Sequence, residues 1–220
     1  MYDNLMDYNR LDQLVGIEDR ILYFLLSEKN KSPRELELVH RIWRILYYDD
    51  VDALIDDEKH PLPKHKDIVR LISADNSHQA DKRIFRSPRV EEAWTEECTM
   101  IKIYPDTIIP KNHLLSVVNV GIDVICNTKI INLAVPDECE NVWIDEAADG
   151  EVLTVMTMSR VTALVQAIVS LLNGAQVQGV GKIVFSAQHS IYNKGQYALW
   201  NNRNFEGMKL VLGVSMGSVS

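Results

Sequence analysis

Apolar positions recur at helical spacing through the first part of the chain. Leu14, Ile17, Ile21, Leu22, Leu25 and Leu26 form one stripe, and Leu36, Val39, Ile42, Trp43 and Leu46 form a second. Ser32-Pro33-Arg34-Glu35 opens the second helix. Ser32 can cap it, Pro33 suits the first helical position, and Glu35 can reach back to close a capping box. The link over 28–31 is short, so the spacing predicts an antiparallel helical hairpin. Asp49, Asp50, Asp52, Asp56, Asp57 and Glu58 follow as a solvated acidic turn, too irregular for a calcium loop. A short helix is expected from Lys64 to about Ser73. The stretch 75–97 then reads as a polar, basic arm carrying Lys82, Arg83, Arg86 and Arg89, mobile in the free subunit and available to a partner.

From Cys98 the period changes to two. Met100–Tyr104 reads as a strand stopped by Pro105. The run 114–126 is the clearest strand in the chain. Val118, Val120, Ile122, Val124 and Cys126 face one way; Asn119, Gly121 and Asp123 face a wetter side. This strand is longer than a small core requires, so part of it is expected to project as a ribbon. Ser159 caps a helix striped by Val161, Leu164, Val165, Ile168, Leu171 and Leu172 and ended by Asn173-Gly174. Ala163, Ala167 and Val169 make it apolar most of the way round, which places it between the sheet and another layer. Strands follow at 182–189 and around Met208–Met216. The fold class is α+β: an N-terminal helical hairpin, then a mostly antiparallel sheet packed against a buried helix. The organisation reads as a helical region over 1–74, the arm over 75–97 and a core domain over 98–220.

Composition narrows the function. A net charge of −8 argues against a general nucleic-acid surface, which needs clustered Lys and Arg. Charge is also polarised: residues 114–159 hold eight acids and one base, whereas 160–220 hold five bases and one acid. That asymmetry suits like subunits meeting acidic face to basic face. Cys98, Cys126 and Cys139 have no ligand spacing and fit a reducing compartment. No segment is apolar and long enough to cross a bilayer, so no membrane partner is expected.

The chain offers no constellation for catalysis and no cofactor motif. Gly174–Lys182 is glycine-rich like a phosphate loop but runs from a helix into a strand, the wrong polarity for cradling phosphate. His60 and His65 lack metal-ligand spacing and read as surface-loop residues. Ser186 and His189 fall on opposite faces of one strand. The competing reading is a metal-dependent enzyme acting on nucleic acid or nucleotides, with carboxylates from Asp123, Asp145, Glu146 and Asp149.

The layout of SVVNVGIDVICN, RVTALVQAIVSLLNG, GKIVFS and NFEGMKLVLGVSM resembles the tail-terminator and head–tail joining (neck) proteins of tailed bacteriophages, over residues 98–216. That resemblance implies a virion structural protein rather than an enzyme, a cyclic homo-oligomer forming a ring between portal and tail tube. It also implies neck and tail-tube proteins as partners, with DNA only as passing cargo. A tail-completion or baseplate-attachment role is the other structural possibility. In such a ring Asp137, Glu138, Glu140, Asp145, Glu146, Asp149 and Glu151 would line the channel, since carboxylates repel sliding phosphates. Arg160, Lys182, Lys194, Arg203 and Lys209 would face a neighbouring subunit. Charge reversal at Arg160 and Arg203 is expected to weaken assembly without unfolding the subunit.

Overall fold

In the computed structural model, residues 16–74, 80–88, 96–110, 115–134, 157–185, 193–195 and 204–217 are described. Helix α1 (Ile17–Leu26) buries Ile17, Ile21, Leu22, Leu25 and Leu26. Helix α2 (Pro33–Tyr47) starts with the expected capping box. The Glu35 amide donates to Ser32 Oγ at 3.4 Å, and the Ser32 amide donates to Glu35 Oε2 at 2.8 Å. Two of the helix's orphan N-terminal donors are thereby satisfied. The third helix, α3 (His65–Arg70), stops earlier than its periodicity suggests. The Leu71 carbonyl accepts instead from the Arg83 and Ile84 amides, and Ile72 bridges Ile84. Those bonds draw the chain out of the helix and toward a strand.

That strand, β1 (Ile84–Phe85), lies within the stretch read as a basic arm. It pairs parallel with β2 (Thr99–Pro110), which pairs antiparallel with β3 (Leu115–Asn127). Pro105 does not stop β2. The register shifts between Pro105 and Thr107, and a bulge is one of the few places where a sheet tolerates proline. After a 3₁₀ turn (Thr128–Ile130), β4 (Asn132–Ala134) pairs with β5 (Thr157–Ser159), and α4 (Arg160–Leu172) follows. Then come β6 (Gln176–Val177), β7 (Gly181–Val184), β8 (Asn193–Gly195) and β9 (Phe205–Gly217). The main sheet runs β1-β2-β3-β9-β7-β6, with β8 also paired to β9. β9 takes the place beside β3 along its whole length, from Leu115↔Gly217 to Asn127↔Phe205.

One hydrophobic cluster joins both ends of the chain. Val118, Val120, Ile122, Val124 and Cys126 of β3 point into it, as their alternation predicts, beside Ile101 and Ile103 of β2 and Leu210, Leu212 and Val214 of β9. α1, α2 and α4 cover this face. α4 lies between α2 and the β3–β9 pair, and its Leu164, Ala167 and Ile168 are fully buried. Its exposed positions are Thr162, Gln166 and Ser170, a single stripe at helical spacing. The opposite face is not simply wetter. Phe85, Cys98, Met100, Ile125 and Phe205 form a second buried cluster there, and Asp123 is buried beside it.

Gly207 marks a place where that second face is tight. A Cβ added to it would lie 2.3 Å from the Val124 carbonyl oxygen and 3.2 Å from Ile125 Cα, both backbone atoms that cannot rotate aside. Gly207→Ala is therefore expected to destabilise the fold by about 2–3 kcal/mol, the upper range for overpacking. Urea denaturation measures it, and an unchanged midpoint would mean that β9 shifts freely against β3.

Candidate functional site: two polar clusters and the assembly residues

Arg160 occupies the first turn of α4, where a cation opposes the helix dipole. Its guanidinium turns away from its own helix. Nε donates to the Ile130 carbonyl at 2.9 Å, and Nη1 to the Ile45 and Tyr48 carbonyls at 3.1 and 2.7 Å. Nη2 donates to the Asp50 carbonyl. Ile45 and Tyr48 lie at the C-terminal end of α2, so the cation meets the negative end of another helix. The side chain is fully buried, and burial lowers its pKa, opposed by the charge of nearby groups including Asp49 and Asp50. The expectation that Arg160 faces a neighbouring subunit is thus corrected: it is an internal cap for α2, and charge reversal there would strike the fold.

The acidic turn after α2 is likewise built into the structure rather than merely solvated. Arg44 donates to the carbonyls of Ile55 and His60 at 3.0 and 2.6 Å and pairs with Asp56. Asp49 pairs with Arg83 at 3.0 Å, and burial raises its pKa against the pull of Arg83 and Arg160. His60, expected on a surface loop, is buried between Asp50 and Asp57.

The basic arm is corrected in the same way. Lys82 donates to the Arg70 carbonyl at 2.6 Å. Besides its pairing with Asp49, Arg83 donates to the Ala80 carbonyl at 2.9 Å. Arg86 pairs with Asp19 of α1 at 2.9 Å and also donates to the Ser73 and Ala74 carbonyls. These three side chains fasten β1 to α1, to the turn after α2 and to the end of α3, so they do not wait for a partner's acids. Arg89 lies outside the described residues.

A second polar cluster sits on the face of the sheet opposite the helices. The register sets Lys102, Asp123 and Lys209 side by side across β2, β3 and β9. Tyr104, two residues beyond Lys102, lies over Gly121, where a Cβ would come within 2.8 Å of its ring. The Tyr104 hydroxyl donates to the Asp123 carboxylate, with both oxygens at 3.0 Å. Lys209 Nζ lies 5.4 Å from the Tyr104 ring centre and pairs with Asp106 at 2.7 Å. Burial and the Asp123 charge push the Tyr104 hydroxyl up to about 12. Burial lowers the Lys102 pKa, with Asp123 opposing. Burial also acts to lower Lys209, but its hydrogen bonds to Asp106 and Tyr104 outweigh that effect and leave it raised. Asp106 is held below its ordinary value, first by the bond from Lys209.

This arrangement ties the three long strands together and sets the Asp123 carboxylate against the Tyr104 phenol, between Lys102 and Lys209 in the register. Lys102 and Tyr104 fall on one face in the alternation of β2, but they meet Asp123 only through the β2–β3 register and Lys209 only through the β3–β9 register, both of which the sequence leaves open. Among the described residues, no group of three or more His, Cys, Asp and Glu side chains could hold a metal ion.

Of the remaining assembly residues, Lys182 is exposed on β7. Lys194 has its backbone placed in β8. Asp137, Glu138, Glu140, Asp145, Glu146, Asp149, Glu151 and Arg203 lie outside the described residues. The chain on either side of the acidic segment is clamped, because Ala134 pairs with Thr157 and the Ala134 amide donates to the Val51 carbonyl at 2.7 Å. No described helix is long and apolar enough to cross a membrane.

No curated protein and no solved structure matches the chain. A family model described as YomW matches residues 40–214, and this match suggests a phage-associated protein. The matched span takes in most of α2, both polar clusters, α4 and nearly all of the main sheet. The chain therefore belongs to the YomW family.

Proposed function

We propose that this chain is a virion structural protein of a tailed phage, which assembles with copies of itself into a ring at the head–tail junction as a tail terminator or neck component. The observation that carries this reading is a mismatch of length. β2, β3 and β9 are 12, 13 and 13 residues long, about 40 Å at the rise of an extended strand. The helices over them have 10, 15 and 13 residues, only about 15–22 Å at the helical rise. The ladder continues to Pro110↔Ser116 and Leu115↔Gly217, so each of these strands is about twice as long as a covering helix. Strands of this length give a neighbouring subunit an extended surface to join, and one such head-to-tail contact repeated about an axis closes a ring.

The family's phage association and the polarised charge support the same reading. The acids from Asp137 to Glu151 would face passing DNA. Lys182, with Lys194 and Arg203, would face the next subunit, while Lys209 is already engaged with Asp106. Neck and tail-tube proteins are the further partners, and the role is structural rather than catalytic. Negative-stain class averages of the purified protein, alone and with neck and tail-tube proteins, are expected to show closed rings with a central opening. Only unassembled particles under both conditions would remove the proposal.

A further inference from the structure

Both ring nitrogens of His60 face carboxylate oxygens. Nε2 lies 2.8 Å from Asp50 Oδ2, and Nδ1 lies 3.0 Å from Asp57 Oδ1. A neutral imidazole has one N–H and one lone pair, so either neutral tautomer would aim a lone pair at a carboxylate. The imidazolium alone donates at both positions. Tyr48 stands edge-on to the ring at 5.0 Å between centres and His60 itself is only 7% exposed, while the Asp50 and Asp57 carboxylates face solvent on their outer sides. The contacts join the two ends of one loop, since Asp50 follows α2 closely and His60 precedes Pro61. Asp57 Oδ1 also accepts the Lys59 and His60 amides at 2.9 and 2.8 Å.

We propose that His60 is a proton-operated clasp on the loop 50–60, closed while its ring carries both protons and loosened when one is lost. The clasp does not depend on ring assembly. Its opening would reach beyond the loop, because the Val51 carbonyl receives the Ala134 amide and the Asp50 carbonyl receives Arg160. The loop's mobility is thereby coupled to β4 and to the strand pair that brackets 135–156.

The charged surroundings favour the closed form. From α2, Arg44 holds the His60 carbonyl and is balanced by Asp56. From the loop, Asp50 and Asp57 face the ring directly. Asp49 is engaged by Arg83 at the edge of β1, and Arg160 from α4 is spent on carbonyls. Tyr48 contributes a hydroxyl bound to the Pro61 carbonyl. The hydrogen bond to Asp50, opposed by burial, raises the His60 pKa above its ordinary 6.5. The bond from the His60 amide lowers that of Asp57. The His60 contribution is therefore complete below pH 6.5 and is lost as pH rises through its folded value. The Asp57 contribution is present above its unfolded value and lost as pH falls through its folded one.

The test is an NMR titration of the His60 ring nitrogens in the full chain, with amide hydrogen exchange at Lys59 and His60 corrected for intrinsic rates. The ring is expected to titrate above pH 6.5. Amide protection should fall through the same pH, tenfold for each unit by which the ring is raised. Asp50→Asn should move both midpoints down together, which a merely structural histidine would not do. A ring titrating at or below 6.5, protection that stays flat through its midpoint, or midpoints unmoved by Asp50→Asn would each overturn the clasp.

Discussion

Replacing Arg160 with alanine is expected to destabilise the subunit by about 5 kcal/mol, among the larger effects a single substitution produces. The substitution removes a fully buried guanidinium and leaves the carbonyls of Ile45, Tyr48, Asp50 and Ile130 without their donor. A buried acceptor left unsatisfied costs about 1–3 kcal/mol; the Ile45 bond is buried and the other three part-buried, and the four do not add fully because they share one group. The loss also uncaps the C-terminal end of α2 and empties the space of a large side chain. Arg160→Lys is expected to recover only part of the loss, because one ammonium cannot reproduce a planar fork reaching four separate carbonyls. Equilibrium denaturation in urea reads both variants. An alanine variant within 1 kcal/mol of the parent would show that water or a neighbour satisfies these carbonyls, and would remove Arg160 as the cap of α2.

The second large effect is expected in the middle of α4. Leu164 and Ile168 are fully buried, on a helix whose neighbours are α2 on one side and β3 and β9 on the other. Truncation to alanine at either position is expected to cost about 2–5 kcal/mol through lost transfer energy and an unfilled cavity. Packing elements hem the site in from both sides, so collapse around the cavity is limited and the upper half of that range is expected. Thr162→Ala, on the exposed stripe, serves as the control and should change stability by no more than about 0.5 kcal/mol. A loss under 1 kcal/mol at both buried sites would mean that α4 is not a central core element.

What could be read from the sequence was set by periodicity. The capping box at Ser32 and Glu35, the core-facing alternation of β3 and the nearly all-round burial of α4 follow from short-range patterns, and all three are present. The misreadings share a different cause. Arg160, Arg83 and Arg86 meet partners far along the chain, so Arg160 read as an interface residue and the arm as available to a partner, while His60 and Lys82 find theirs only once a nearby loop folds back. Arg160 meets Ile45 across more than a hundred residues, and no local pattern announces that contact. β1 was hidden because a pair of apolar residues between basic neighbours is too short to show a period. Pro105 misled because a bulge, which depends on the partner strand, is what lets β2 run through it. The row of Lys102, Asp123 and Lys209 could be found only once β9 was seated beside β3 instead of beside its sequence neighbours.

The ring is tested most directly by the mass of the assembled particle. Native mass spectrometry of the full chain, alone and with candidate neck and tail-tube proteins, should show one dominant species at an integral multiple of the 25.1 kDa subunit. Reversing the exposed Lys182 together with Arg203 should shift that species toward smaller assemblies while circular dichroism stays unchanged. Monomer alone under every condition would contradict the proposed role in a ring.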